Sequence, residues 1–208
     1  MKILNIFISV LFLSLLSSPS WSETVSWDEL VKRDNTFYKK FTNTPFTGEV
    51  TGQFQVSINN GLKEGSWKVY YLTDGLNESG HYKNGKQEGS WIFYHENGQL
   101  KKVGEYRNGK KVGVWKGYYD NGQLEFNHNY NNGKKEDVSE YFFDNGSLML
   151  KRTFSEGKIR LWERYWDNSQ LRTKGNFKEG KKTGLWEYFN KDGTLKETRT
   201  YKDGELLN

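Results

Sequence analysis

From Gly61 onward the chain alternates short apolar-aromatic stretches with turn residues, and the alternation repeats. Units begin at Gly61, Gly85, Gly109, Gly133, Gly157 and Gly180, spaced by 24, 24, 24, 24 and 23 residues, with a partial seventh at Gly204. A constant period of this length marks a linear array in which each unit packs on its neighbours. With the first Gly counted as position 0, and the fifth unit's later positions shifted by one because it lacks a residue before its Trp, position 6 carries Trp67, Trp91, Trp115, Ser139, Trp162 and Trp186. Position 15 is Leu throughout, as in Leu100 and Leu124, and position 21 is always aromatic: Tyr82, Tyr106, Tyr130, Phe154, Phe177 and Tyr201. Asn-Gly pairs recur twice per unit, as at Asn84-Gly85 and Asn97-Gly98. Both residues tolerate positive φ, which two-residue hairpin turns require. Between the turns lie two stretches of about six residues, so each unit reads as strand, turn, strand, turn.

Side chains alternate faces along a strand. One face therefore collects the Trp, Leu and Tyr columns, together with Gly80, Gly104 and Gly175 at position 19. Glycine at that point leaves room for a ring lying across the strand, so the pattern predicts Trp beside Gly. The expected fold is all-β: an elongated, twisted, single-layer antiparallel meander of twelve repeat strands. One face must then be covered by large rings, by curling or by a partner. Residues 23–60 form a lead-in; "SWDELVKRDNTFYKKF" suits a short helix or a first hairpin, and "TPFTGEVTGQFQVSINNG" a divergent unit capping one end. Residues 61–208 are the array.

The first 22 residues read as a targeting segment, which adds a short N-terminal signal helix to the expected fold. Lys2 precedes an apolar run from Ile3 to Leu16, and Ser20-Trp21-Ser22 offers small residues for cleavage near Ser22. The run is short for a bilayer-spanning helix, so export to the periplasm or medium is expected, with a retained anchor as the alternative. The chain has no Cys, which excludes disulfides, thiol nucleophiles and thiolate metal sites. Aromatics make up 16% of residues against 34% hydrophobic overall, so rings do the burying. The net charge of +5 arises from interleaved Lys and Glu, a solvated surface more than a nucleic-acid footprint.

The recurring "NGKQEGSWIFYHENGQLKKVGEYRNG" and the opening "KRDNTFYKKFTNTPFTGEVTG" resemble the MORN-repeat variant of bacterial proteins labelled YwqK-family antitoxins. The resemblance spans about residues 28–208. It implies a repeat of β-hairpins and a protein partner. The chain departs from a cytoplasmic antitoxin by its export signal, and its fourth and fifth units depart from the repeat at Asp137, Ser139, Arg152 and Ser169.

The residues point away from enzyme chemistry. His81, His95 and His128 fall at different unit positions, so no metal-ligand spacing arises. No nucleophile elbow is present, and the Gly-rich segments open no helix that could cradle phosphate. No cofactor is implied. Glu64, Glu88 and Glu136 near position 3 read as solvated turn residues. The candidate binding feature is the position-10 column: Tyr71, His95, Tyr119, Phe143 and Trp166, with Asn190 in the sixth unit. Half-covered rings beside Lys suit a protein or glycan partner; alternatively they complete the sheet's own aromatic face. The irregular stretch from Asp137 to Trp166 is a second candidate. The expected function is non-enzymatic protein binding, with a toxin or an envelope protein as partner. The alternative is an envelope scaffold that binds membrane lipid or peptidoglycan.

Overall fold

The computed structural model describes residues 23–207. The expected signal segment, with the helix expected in it, lies outside these residues. The lead-in forms β1 (Glu23–Ser26), a single 3-10 turn (Trp27–Glu29), β2 (Leu30–Arg33), β3 (Thr36–Lys39), β4 (Gly48–Thr51) and β5 (Phe54–Asn59). The array follows as twelve strands. They are β6 (Leu62–Tyr70) and β7 (Leu76–Lys83), β8 (Lys86–Tyr94) and β9 (Leu100–Arg107), and β10 (Lys110–Tyr118) and β11 (Leu124–Asn131). The second half comprises β12 (Lys134–Phe142) and β13 (Leu148–Ser155), β14 (Lys158–Tyr165) and β15 (Leu171–Lys178), and β16 (Lys181–Phe189) and β17 (Leu195–Lys202). A two-residue β18 (Glu205–Leu206) closes the described chain.

Sixteen strands make one sheet, in sequence order from β4 to β18, with β1 added in parallel outside β4; β2 and β3 form a separate hairpin. The predicted single-layer antiparallel meander is the observed fold. Of the two options for the lead-in, the hairpin is correct.

The turn at the start of each unit is the expected two-residue type. Asn84 and Gly85 have φ of 50° and 74°, and Asn108 and Gly109 have 50° and 77°. The second Asn-Gly differs from expectation. Only its Gly has positive φ, and it sits in a five-residue loop in which Gly98 N–H donates to the His95 carbonyl (2.9 Å) and His95 N–H to the Gln99 carbonyl (2.8 Å). The Asn97 side chain accepts the Gln99 N–H (2.9 Å), so Asn serves there as a local hydrogen-bonding group, not as a positive-φ residue. The strands are also eight or nine residues long in most units, not six. The extra length is a bulge around position 4, where Gly65, Gly89, Gly113 and Gly184 take positive φ. In β10, Val112 pairs with Glu105 but the next pair is Lys116 with Val103. The one-residue deletion of the fifth unit falls in this bulge: Ile159 pairs with Phe154 and Leu161 with Thr153. Faces on either side stay in phase.

The core is a ring ladder on one face. Trp and Gly of one unit sit opposite each other, as in Trp91 with Gly104. The ring that covers this Gly comes from the next unit, however: a Cβ on Gly104 would lie 2.1 Å from the Trp115 indole, one on Gly80 2.3 Å from Trp91, and one on Gly175 2.2 Å from Trp186. Each position-21 phenol then meets the same indole edge-on, Tyr82 with Trp91 at 5.3 Å and Tyr106 with Trp115 at 4.9 Å. Trp91 and Trp115 are 1% and 0% exposed. Lysines at position 2 lie over the rings, with Lys63 3.6 Å from the Trp67 centroid, Lys111 4.4 Å from Trp115 and Lys182 4.2 Å from Trp186. Their ammonium groups lie against the ring faces as cation–π contacts and so cover them. Burial among Trp27, Trp67 and Tyr82 pulls the Lys63 ammonium down to about 8. At the N-terminal end, Val25, Leu30, Phe46, Val50, Val56 and Ile58 build an apolar, mostly aliphatic plug, and Trp27 packs on Trp67. The lead-in thus caps the array.

The fourth unit reverses the ring-on-glycine pattern. Ser139 stands where Trp is expected, and its partner His128 stands where the preceding unit would have Gly. Large and small have changed places across one strand pair. Gly104→His alone should drive a ring into Trp115 and lower stability by about 1–3 kcal/mol. Trp115→Ser alone should cost about 3–5 kcal/mol. Combining them should recover at least about 1 kcal/mol relative to the sum, measured by urea unfolding of the four proteins; strict additivity would refute the swap.

Candidate functional site

The position-10 residues each open the second loop of their unit, at one long edge of the sheet. All five are half-buried. Tyr71 Oη donates to the Tyr94 carbonyl and Tyr119 Oη to the Phe142 carbonyl, both at 2.7 Å, and Trp166 Nε1 donates to the Phe189 carbonyl at 3.3 Å. His95 Nε2 lies 2.8 Å from the Tyr118 carbonyl. A carbonyl only accepts, so Nε2 carries the proton. Each polar tip therefore ties its unit to the next one. Asn97, Asn121 and Asn168 repeat the link one step further round the loop, donating to the carbonyls of Asp120, Asp144 and Lys191. At the opposite edge the position-3 carboxylates are also engaged: Glu64, Glu88 and Glu136 accept the backbone N–H of Asn84, Asn108 and Glu156 at 2.7–2.9 Å. They are turn residues, as expected, but fixed ones. The sequence signal was present, since Glu recurs three residues after the turn Gly.

The structure does not gather the five rings into one patch. Tyr71 and His95 share a shallow depression with Asn97 and Lys101. Phe143 and Trp166 share another with Arg164 and Arg172. Trp166 also opens into a groove of about 680 Å³, which runs over β14–β17 on the ring face. Its apolar walls are Trp162, Trp166, Phe177, Trp186 and Tyr188, and its charged lining is Arg164, Arg172, Lys182, Lys191, Lys196 and Glu197.

Local sequence explains the groove. In the row next to the Trp column, earlier units fill the face with Phe93 opposite Lys102, Gly117 opposite Phe126, and Tyr141 opposite Leu150. In β15 the corresponding residue is the small Thr173, flanked by its register partners Arg164 and Tyr188. Position 2 of the fifth unit is Ile159, so the lysine lid is missing beside Trp162. Trp162 stays half-buried, with the Arg152 guanidinium 4.2 Å from its centroid. Arg172 lies 4.2 Å from the Trp166 centroid. Burial, reinforced by a contact with Tyr201 Oη at 3.5 Å, pushes the Tyr188 phenol up to about 12. Two of the lining charges are already paired, Lys191 with Asp167 (2.7 Å) and Glu197 with Arg199 (2.9 Å). Arg164, Arg172, Lys182 and Lys196 enter none of the ion pairs among the described residues.

The second irregular feature is the polar row His128, Ser139 and Arg152, register partners on β11, β12 and β13. His128 is 6% exposed, stacked on Phe126 at 4.3 Å and edge-on to Tyr141 at 4.6 Å. Lys135 Nζ donates to Tyr141 Oη (2.8 Å) and sits 3.4 Å from His128 Nε2. Burial, with Lys135, Lys111 and Arg152 nearby, pulls the imidazole down to about 3. Ser139 Oγ and Arg152 Nε are buried without a hydrogen-bond partner. No group of three or more His, Cys, Asp or Glu that could hold a metal occurs among the described residues.

Four segments, residues 63–84, 87–108, 111–132 and 182–203, match the MORN repeat variant. These four segments, together under half of the chain, are similar to that repeat. The matched segments fall in units one, two, three and six, so Ser139 and Arg152 of the polar row and the β14–β15 side of the groove lie outside them. No curated protein matches the chain. Among solved structures, the crystal structure of a GtfA/B complex bound to UDP and GlcNAc is 12% identical over 64% of this chain and 24% of that one, with a TM-score of 0.18. The chain spans about a quarter of that protein, and a likeness this low carries no argument.

His128 gives the fold a pH signature. Its folded value lies below the ordinary 6.5, so the unfolded chain binds the extra proton between about 3 and 6.5. Stability therefore falls as pH drops through that window, by up to about 1.4 kcal/mol per unit. Urea titrations at pH 7, 6, 5 and 4 should show a steeper loss for the natural protein than for His128→Phe; equal slopes would refute the buried neutral imidazole.

Proposed function

We propose that this chain is a non-enzymatic, exported binding module for a protein partner. In this reading the partner is a toxin or an envelope protein, so the chain acts by occlusion in the manner of an antitoxin or immunity protein. The observation that carries the reading is the asymmetry of the two ends. At the N-terminal end, the lead-in plugs the ring ladder with apolar, mostly aliphatic side chains. At the other end, β17 is bridged on its outer side over Thr200 to Lys202, by the two-residue β18 and by the Leu207 N–H on the Thr200 carbonyl (2.8 Å), and on that side its earlier residues have no strand beside them among the described residues. Around it stand Leu185, Leu195, Leu206 and Leu207, 52%, 55%, 53% and 60% exposed. A sheet edge with exposed leucines beside it suits strand addition by another chain. The groove over β14–β17 opens on the same end of the ring face.

Export rests on the apolar run from Ile3 to Leu16 and the small residues before Glu23. The antitoxin-like assignment rests on the resemblance of the repeat and the lead-in. The position-10 column contributes to docking through Trp166, which faces the groove.

The test is a cross-linked pull-down from envelope extract with the natural protein and with Leu195→Lys/Leu206→Lys. Both leucines are more than half exposed, so the variant should keep its melting temperature within a few degrees. The expected result is one protein recovered with the natural chain and lost with the variant. Recovery of lipid or murein alone would overturn the protein-binding reading in favour of an envelope scaffold.

A further inference from the structure

The groove over β14–β17 has a chemistry that selects among partners. We propose that it takes an acidic, extended peptide segment carrying one aromatic or aliphatic anchor. This rests on the protein-binding reading above and specifies what the partner presents.

Three observations carry it. First, the cations are in excess. Arg164, Arg172, Lys182 and Lys196 line the groove and enter none of the ion pairs among the described residues, whereas its one acid, Glu197, is paired with Arg199. Unneutralised cations around an apolar trough suit carboxylates, which Arg binds bidentately. Second, the four cations sit on four successive strands, β14, β15, β16 and β17. At about 4.8 Å per strand they spread over roughly 14 Å, the length of about four extended residues. A phosphate or lipid headgroup would need them convergent; carboxylates distributed along a chain match the spread. Third, the ring faces are partly taken. Arg152 lies over Trp162, Arg172 over Trp166 and Lys182 over Trp186, each 4.2 Å from the centroid. A sugar ring would have to displace these cations to stack. The low point at Thr173, between Arg164 and Tyr188, instead admits one compact apolar side chain from above.

Binding is therefore anchored at Thr173 and steered by the surrounding charges. It should be salt-sensitive, because Arg164 and Lys196 are exposed.

The experiment uses the full chain and a synthetic ten-residue peptide alternating Glu with apolar residues and carrying one central Phe. Its controls are the same peptide with Gln for every Glu, and vesicles rich in phosphatidylglycerol. The expected result is fluorescence quenching or shift of the groove tryptophans by the Glu peptide, with binding weakened about tenfold or more in the Gln peptide and in Arg164→Glu/Lys196→Glu. Both substituted residues are exposed, so far-UV circular dichroism and melting temperature should be unchanged; Arg164→Gln/Lys196→Gln serves as a milder second variant. Equal binding of the Glu and Gln peptides, or binding to vesicles with none to the Glu peptide, overturns the inference. The two readings fail separately. If the envelope partner is captured equally by the natural chain and by the charge-reversed variant, the acidic-segment inference falls while protein binding stands. If no protein is captured by either, the protein-binding reading falls.

Discussion

In the second, third and sixth units the indole lies on the bare Cα of a glycine in the unit before it, and the cohesion of the sheet depends on that contact. A single-layer sheet has no second layer to bury its apolar face, so the covering must come from side chains lying flat. An indole can do this only where the strand beneath carries no Cβ, and Gly80, Gly104 and Gly175 supply that surface to Trp91, Trp115 and Trp186. Burying a ring of this size is worth about 4–6 kcal/mol by area. A linking hydrogen bond such as Tyr119 to Phe142 contributes about 1 kcal/mol net. The ring contact therefore sets cohesion between units, and the loop and turn bonds fix spacing and phase. Because each such contact joins one unit to its predecessor, stability is shared along the array as nearest-neighbour terms.

That dependence makes the fourth unit the weak joint. The ring ladder runs edge-on from Trp27 to Tyr130 and resumes from Trp162 to Tyr201, where the first contact, Trp162 with Phe177, is tilted and the rest are edge-on. Between them stand His128, Ser139 and Arg152, with two buried polar atoms unpaired. His128 restores the volume that Ser139 lacks, so the sheet stays continuous, yet it does so with a group whose charged form burial disfavours. Local opening of a one-dimensional array concentrates at its least favourable interface, here between the capped N-terminal half and the grooved C-terminal half.

Most of the fold was legible in the sequence. The period gave the units, Asn84-Gly85 and its repeats gave the hairpin turns, and position-19 glycine gave the presence of a ring above it. What the residues could not show is whose ring it was. Trp91 is the register partner of Gly104 and Trp115 is the one that covers it, a distinction made by sheet twist and by the bulge, both non-local. The bulge itself hid in plain view, since Gly65, Gly89, Gly113 and Gly184 recur but resemble any turn glycine. The candidate site was legible only at Trp166. Arg164 and Thr173 look like ordinary strand substitutions until the register pairs them across β14 and β15, and Lys196 until the groove brings it to the same rim.

The groove arises from two changes that leave the scaffold intact. Ile159 removes the lysine lid from the fifth unit, and Thr173 empties the row that Phe126 or Leu150 fills elsewhere. Neither touches the couplings between units there: Trp166 still donates to Phe189, Asn168 still donates to the Lys191 carbonyl, and Trp186 still lies on Gly175. The missing residue of that unit is absorbed in the bulge, so strand phase is kept. In an array held together by one column, the adjacent row is free to vary without cost to the fold. A recessed, cation-rimmed surface can therefore form on the ring face of a single-layer sheet, and its position follows from which units have lost both lid and filler.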